Sequence, residues 1–144
     1  MKGFDLAVDD FLRAIGLLVR RVRAAAASHE LSLTEAAVLA RLEREGPATT
    51  ADLARAESMK PQSMGATITA LEEMGLIERD AHPNDGRQVN IQLTARGTMV
   101  RKSAREAKRT WLAHAIAQLD KQEQATLFAA GEIIRRLAEK SEQP

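Results

Sequence analysis

The chain has 144 residues, of which 44% are hydrophobic and 28% are charged, and it contains no cysteine. This length fits one compact domain or two very small ones and excludes a multidomain enzyme. Twenty-one basic and twenty acidic residues leave a formal charge of +1, so the overall charge favours neither nucleic acid nor membrane nor acidic partners. A chain without cysteine has no disulfide or thiolate metal site, and the cytoplasm is its expected compartment.

The first ten residues carry three aspartates where a signal peptide would carry positive charge and an apolar core, so secretion is not expected. The apolar stretch around residues 15–19 is closed by Arg20 and Arg21, far short of the roughly 18 residues that a membrane span requires. We therefore expect a soluble protein without a membrane partner.

Two helices are predicted in the first third of the chain. Apolar residues recur at three-and-four spacing through residues 5–28, which predicts a long amphipathic helix. Ser32 and Glu35 have the spacing of a capping box, so a second helix should begin at Ser32 and stop at Gly46 and Pro47.

A short helix, a tight turn and another helix are predicted next. Thr49 and Thr50 can cap the short helix, a turn follows around Ser58, and Pro61 opens a helix that ends at Gly75. The apolar face of this second helix consists of Met64, Ile68 and Leu71.

One segment alternates between apolar and polar residues. Val89, Ile91 and Leu93 are separated by polar residues, which predicts a half-buried strand. Residues 77–79 can supply its partner, and residues 82–86 are dense in turn formers. We therefore predict a hairpin with a long, exposed tip.

Long helices are predicted at both ends of the chain. Thr94 caps one of them, and Asp120 and Glu123 repeat the capping-box spacing and open the last. A first helix of about 24 residues spans roughly 36 Å, more than a small central unit needs, so its apolar surface favours a two-fold homodimer. The residues expected at the dimer interface are Val8, Phe11, Leu18, Leu119, Leu127, Ile134 and Leu137.

A helix-turn-helix followed by a two-stranded hairpin is a winged helix-turn-helix, whose second helix fits the major groove of DNA. Three segments are the most specific to one known protein family: LEEMGLIERD at residues 71–80, Asp85-Gly86-Arg87 in the hairpin and LTARG at residues 93–97. With these segments at these spacings, the whole chain resembles the MarR family of bacterial transcription regulators. The resemblance implies a dimeric regulator that binds a pseudo-palindromic DNA operator, usually as a repressor. It also implies that a small, frequently aromatic ligand often releases the regulator from the operator.

We thus expect a mainly α-helical fold with a small β-hairpin wing. Residues 1–31 should form an N-terminal dimerisation helix, residues 32–96 the DNA-binding unit, and residues 97–144 the C-terminal dimerisation helices. Each chain would be one structural domain of an intertwined dimer.

The helix from Pro61 is expected to read double-stranded DNA. Gln62 can pair with adenine, Ser63 with a base edge or phosphate, and the Thr67 methyl with a thymine methyl, each good pair discriminating by about 1 to 3 kcal/mol. In the wing, Arg87 should enter the minor groove, and the resemblance implies that Asp85 orients it. The expected DNA-binding residues are Lys60, Pro61, Gln62, Ser63, Thr67, Thr69, Arg79, Asp85 and Arg87.

Three features need a structural explanation. Gly65 costs about 1 kcal/mol inside a helix, so it permits a close approach either of the preceding helix, which we favour, or of the DNA backbone. Residues 49–97 hold five basic and seven acidic residues, a balance of −2 that supports an alternative, a winged-helix protein-interaction module without DNA binding. Basic residues on one side of the long helix favour a solvated face; they are Arg101, Lys102, Arg105, Lys108 and Arg109.

The resemblance also implies a small-molecule effector in a crevice between the dimerisation helices and the DNA-binding unit. Residues that could line it are Phe11, Ile15, Trp111 and His114, although packing in the core is the more common role of such residues. A small enzyme or metal protein built on His29, His82 and His114 is disfavoured, because no HExxH or paired-carboxylate spacing accompanies these histidines. We expect no catalytic residue, metal or cofactor.

Overall fold

The computed structural model describes residues 1–27, 30–82 and 85–140, and the side chains of residues 82 and 85–87 lie outside this description. The fold is mainly α-helical with one small antiparallel sheet, as predicted. The elements, in chain order, are α1 (Lys2–Ala25), α2 (Leu33–Glu45), β1 (Ala48–Thr49), α3 (Thr50–Ala56), α4 (Pro61–Glu73), β2 (Ile77–His82), β3 (Asp85–Leu93), α5 (Ala95–Ala117) and α6 (Lys121–Lys140).

Local capping signals set where several helices begin. The Ser32 hydroxyl accepts the backbone N–H of Glu35, whose carboxylate accepts the backbone N–H of Ser32, so the predicted capping box of α2 is confirmed. The Thr49 hydroxyl accepts the backbone N–H of Asp52 in the same way at α3. At α6, the backbone N–H of Glu123 donates to the Asp120 carboxylate at 2.7 Å.

The sheet differs from the prediction in two respects. It has three strands in the order β1-β3-β2, and β1 was not predicted because two residues are too few to show alternation. The hairpin strands also reach farther than expected, since His82 ends β2 and pairs with Asp85 at the start of β3. The prediction of a long turn at residues 82–86 was wrong at residues 82, 85 and 86, which belong to the strands, and residues 83–84 lie outside the described part of the chain.

The buried core lies entirely within the central unit. It joins α2, α3, α4 and the sheet, and every member falls between residues 38 and 91. These residues are Val38, Leu39, Leu42, Leu53, Ala54, Met64, Ile68, Leu71, Leu76, Ile77 and Ile91.

Helices α1 and α6 contribute no side chain to this core, whereas the half-buried Val100 of α5 packs against it. Within the described residues, neither α1 nor α6 contains a buried residue, and α5 contains only Gly97. Large apolar side chains stand in solvent instead, among them Phe4 at 63% exposure, Leu12 at 67% and Leu137 at 61%. Even so, no described helix combines the length and the apolar character that crossing a membrane would need.

Candidate nucleic-acid interface

A tight turn with an unusual backbone conformation connects α3 to α4. Ser58 has a φ of 53°, in the left-handed region, and the backbone N–H of Met59 donates to the carbonyl oxygen of Ala54 at 2.8 Å. Pro61 then occupies the first turn of α4, where its fixed φ suits a helix start. Lys60 precedes it as an N-cap without a side-chain cap bond, so no side chain from that position covers the positive end of α4.

One face of α4 is anchored and the opposite face is open. Met64, Ile68 and Leu71 are each 0% exposed and pack in the core, which fixes how the helix is rotated. The residues that the structure leaves exposed on α4 include Pro61, Gln62, Ser63, Ala66, Thr69, Glu72 and Glu73. The N-terminal half of this surface is uncharged, offers polar groups at Gln62 and Ser63 between the small side chains of Pro61 and Ala66, and can therefore approach another molecule closely.

Thr67 is half-buried at the side of this surface. Its hydroxyl donates to the carbonyl oxygen of Ser63 at 3.2 Å, within the same helix. This bond occupies the polar group of Thr67, so its methyl group is the part left to contact an apolar partner.

Arg79 links the hairpin to α4. Its Nε lies 3.3 Å from the Glu72 carboxylate, and its terminal nitrogen donates to the Thr69 hydroxyl at 3.5 Å. Both charged side chains are about 40% exposed, at 40% and 42%. Arg79 therefore braces β2 against the C-terminal half of α4 and offsets the charge of Glu72.

The acidic residues of the central unit are mostly engaged in structural contacts. Glu57 accepts from Arg41 at 3.2 Å, and Arg41 lies outside residues 49–97, the segment with the balance of −2. Glu78 accepts from the Gln92 amide at 2.8 Å. Asp80 accepts the backbone N–H of Ala81 at 2.9 Å. Glu57 is therefore offset by a cation outside residues 49–97, whereas Glu78 and Asp80 bond neutral groups and keep their negative charge on the surface.

The hairpin carries the wing residues beside its tip. The backbone of Asp85 and Arg87 belongs to the first residues of β3, next to the turn, while their side chains lie outside the described structure. Farther from the tip, Arg79 pairs in register with Ile91. The hairpin is thus an antiparallel ribbon that projects from the same unit as α4.

Our explanation of Gly65 by helix packing was wrong. A Cβ placed on Gly65 would meet nothing within 4 Å, so neither α3 nor another described element approaches this position closely. Gly65 has no positive φ and lies in the second turn of α4, between Met64 and Ala66. The fold of the single chain therefore gives no reason for glycine here.

The four suggested effector residues do not form one enclosed site. Phe11 is 49% exposed and His114 is exposed, so the alternative that all four pack in the core is wrong for these two. Ile15 and Trp111 are half-buried, and the Arg21 guanidinium lies 5.7 Å from the centre of the Trp111 ring. A separate open groove between α5 and α6 is lined by Arg109, Leu112, Ala113, Ile116, Ala117, Gln124 and Phe128.

The expected solvated basic face of α5 is partly engaged with α2. Arg101 donates to the Glu43 carboxylate at 3.3 Å, and Arg105 donates to its other oxygen. The Arg101 side chain is only 13% exposed. The hydrogen bond from Arg105, helped by the charges of both arginines and opposed by burial, holds the pKa of Glu43 below its ordinary value.

Among the residues that the structure describes, no three histidine or carboxylate side chains come together as a metal site would require. His29 and the side chain of His82 lie outside that part.

The helix, turn, helix and antiparallel hairpin, with the open polar face of α4, define a winged helix-turn-helix transcription regulator. A family model described as MarR family matches residues 31–89. The chain is also 35% identical over 132 residues to an uncharacterized HTH-type transcriptional regulator of Mycobacterium bovis, Mb0904, a match that covers 92% of each protein. The chain belongs to the MarR family, which is a family of DNA-binding regulators and not of enzymes.

Two other similar proteins are named as a repressor and as a protein bound to DNA. The HTH-type transcriptional repressor Rv2887 of Mycobacterium tuberculosis is 33% identical over 116 residues, covering 80% of this chain and 84% of that protein. A MepR variant of Staphylococcus aureus, solved bound to an oligodeoxyribonucleotide, has a TM-score of 0.69 and 18% identity, covering 92% of this chain and 96% of that one. At this identity the MepR structure supports the fold alone.

Proposed function

We propose that this protein acts as a homodimer that represses transcription by binding a pseudo-palindromic operator. The observation that carries the proposal is α4, whose apolar face is fully buried while its short polar N-terminal half stands open. An α-helix presented in this way fits the major groove. The similar Mycobacterium tuberculosis protein named as a repressor supports the direction of regulation.

The base contacts are assigned to the start of α4. Gln62 can pair bidentately with adenine and Ser63 can bond a base edge or phosphate, while the Thr67 methyl can meet a thymine methyl. Lys60 and the uncapped helix start, including Pro61, face the phosphates. Thr69 lies farther along the same exposed surface, beside Arg79.

Gly65 supports a close approach to DNA. The position is open on the single chain, and glycine destabilises a helix relative to alanine. We assign Gly65 to the surface where the DNA backbone comes nearest to α4. This is the explanation that remains once close packing within the chain is excluded.

The wing is assigned to the minor groove. Arg87 stands on the narrow ribbon beside the hairpin tip, and the negative potential of a narrow minor groove favours a guanidinium there. Asp85, two residues earlier, orients it. Arg79 can add a phosphate contact, but its bond with Glu72 makes the brace between β2 and α4 its first role.

The dimer interface is assigned to the terminal helices. In the single chain α1 and α6 place no side chain in the core, and their apolar residues are 39 to 61% exposed at the positions expected to meet a second copy. Covering such a surface is favourable by about 25 cal/mol per Å². The assigned exposed residues are Val8, Phe11, Leu18, Leu127, Ile134 and Leu137, with the half-buried Leu119 at the start of the α5–α6 turn.

We further propose that a small aromatic effector weakens DNA binding by entering a crevice between the dimerisation helices and the DNA-binding unit. Of the four residues assigned to this crevice, Ile15 and Trp111 are half-buried, whereas Phe11 and His114 are exposed. Trp111 is the only tryptophan of the chain, so all tryptophan fluorescence comes from this position. Quenching of that fluorescence by salicylate, an aromatic acid probe, therefore tests this site. Quenching that does not saturate, or that leaves DNA affinity unchanged, contradicts it.

Selection of bound duplexes from a random DNA pool tests the main proposal. The selected sequences should contain two inverted half-sites roughly 34 to 36 Å apart. The logarithm of the binding constant should fall linearly with the logarithm of the salt concentration. A pool that shows no enrichment supports the protein-interaction alternative, although the pairing of Glu57 with Arg41 reduces the acidic balance on which that alternative rests.

A further inference from the structure

A single hydroxyl joins the end of α4 to the start of α5. The Thr94 Oγ1 donates to the carbonyl oxygen of Gly75 at 2.6 Å and accepts the backbone N–H of Gly97 at 3.1 Å. The first bond reaches a residue just beyond the end of α4, and the second caps the first turn of α5. One side chain therefore connects the helix assigned to DNA reading with the helix that leads to the proposed dimer interface.

The backbones around this hydroxyl are in unusually close contact. The backbone N–H of Thr94 donates to the carbonyl oxygen of Leu76 at 3.1 Å. A Cβ placed on Gly97 would lie 2.1 Å from that same oxygen, far inside van der Waals contact. Glycine is therefore the residue that lets these two segments meet at position 97.

The chain on the α4 side of this contact is also held firmly. Gly75 has a φ of 75°, and the backbone N–H groups of Gly75 and Leu76 donate to the carbonyl oxygens of Glu72 and Leu71 at 2.9 and 3.1 Å. This is a Schellman motif, and Leu76 is only 4% exposed in the core. A shift at Thr94 is consequently passed to α4 and is not absorbed by a loose loop.

We propose that Thr94 is a positioning residue that sets the angle between α4 and α5, and through it the separation of the two α4 helices in a dimer. This inference rests on the proposed function, because the separation exists only between two chains. The 23 residues of α5 form an arm of about 35 Å at 1.5 Å per residue. A tilt of about 5° over that arm moves α4 by about 3 Å, which is close to the 3.4 Å rise of one base pair.

Substitutions at Thr94 separate this bridge from simple helix capping. Thr94→Ser keeps both hydrogen bonds, and Thr94→Val removes both. Thr94→Asp keeps an acceptor for the Gly97 N–H, but an ionised carboxylate has no proton to donate to Gly75. Thr98→Val, which removes an exposed hydroxyl from the same turn of α5, is the matched control.

Distances between the two α4 helices can be measured directly because the chain has no cysteine. Ala66→Cys, on the exposed face of α4, carries one spin label per chain, and double electron–electron resonance gives the distance between the labels of a dimer. We expect one narrow distribution for the parent protein, Thr94→Ser and Thr98→Val. In Thr94→Asp and Thr94→Val the distribution should shift or broaden by about 3 Å or more, the displacement expected for a 5° tilt.

DNA binding gives a second measure, with a duplex that the parent protein selects from a random pool as the probe. The Asp and Val variants of Thr94 should bind this duplex about tenfold more weakly, and should lose less affinity than the parent protein when the half-sites are moved by one base pair. Thr94→Ser should retain the parent's preference for spacing.

A distance distribution of Thr94→Asp that matches the parent overturns the proposal, because the hydroxyl would then act only as a cap. Thr94→Ser behaving like Thr94→Val also overturns it. Thermal unfolding of the same samples verifies folding, and Thr94→Asp, which retains its cap, supplies the comparison if Thr94→Val unfolds. A monomeric parent protein overturns both this inference and the proposed function, whereas a dimer that ignores DNA overturns the proposed function alone.

Discussion

Replacing Gly65 by alanine should stabilise the protein and weaken its binding to DNA. The added Cβ meets nothing within 4 Å, so the substitution causes no steric clash within the chain. Alanine is favoured over glycine inside a helix by about 1 kcal/mol. For a chain of this size that gain raises the unfolding midpoint by about 2 to 4 °C.

The same methyl group should hold DNA away from α4 if Gly65 lies where the backbone of the duplex comes nearest. We expect affinity for a selected duplex to fall at least about tenfold, equivalent to roughly 1.4 kcal/mol. Differential scanning calorimetry and fluorescence anisotropy on the same preparation measure the two effects, which have opposite signs. Few substitutions that damage the fold could produce this combination.

Gly16→Ala is the matched control, since Gly16 also lies inside a helix with no neighbour within 4 Å of an added Cβ. It should raise the unfolding midpoint by a similar amount and leave DNA affinity unchanged. Wild-type affinity in Gly65→Ala would refute the assignment of Gly65 to the DNA surface. An unfolding midpoint that does not rise in Gly65→Ala would refute the inference that a methyl group at this position stabilises α4 without a clash.

Three further predictions concern DNA contacts, the dimer and pH. Arg87→Ala should weaken binding to all sequences and lower the salt slope by about one unit, whereas Gln62→Ala should relax preference at one base position by about 1 to 3 kcal/mol; equal effects on every sequence would contradict this division. Leu18→Asp should give folded monomers in light scattering, because Leu18 is 44% exposed and outside the core; an unchanged dimer would refute the assigned interface. Glu43→Gln should lower the free energy of unfolding by about 1 to 2 kcal/mol at neutral pH. Because folding lowers the pKa of Glu43, its contribution is complete above the ordinary value of 4.5 and is lost as pH falls through the folded value, so urea unfolding of parent and variant should converge in acid.

Local signals made much of the fold predictable. Capping boxes at Ser32 and Asp120 and the N-cap Thr94 placed the starts of three helices, because each signal is complete within four residues. The buried face of α4 followed from helical periodicity in the same way. The two-residue strand β1 is too short to show a period and becomes visible only through its pairing with β3.

Contacts between distant residues were beyond such signals. Arg101 and Glu43 are 58 positions apart, and nothing local distinguishes Arg101 from the solvated basic residues beside it. Gly65 illustrates the same limit, because its sequence context allowed two explanations and the empty space around it removed one. The polar face of α4 could be predicted, but the bridge from Thr94 to Gly75 required the backbone of both helices.

Sedimentation of the protein with a selected duplex tests the central claim most directly. Two chains should bind each full duplex containing both half-sites, and removal of one half-site should lower affinity by several orders of magnitude, because both α4 helices contribute to one complex. One chain per duplex, or equal affinity for whole and half operators, would contradict a dimer that reads DNA through two copies of α4.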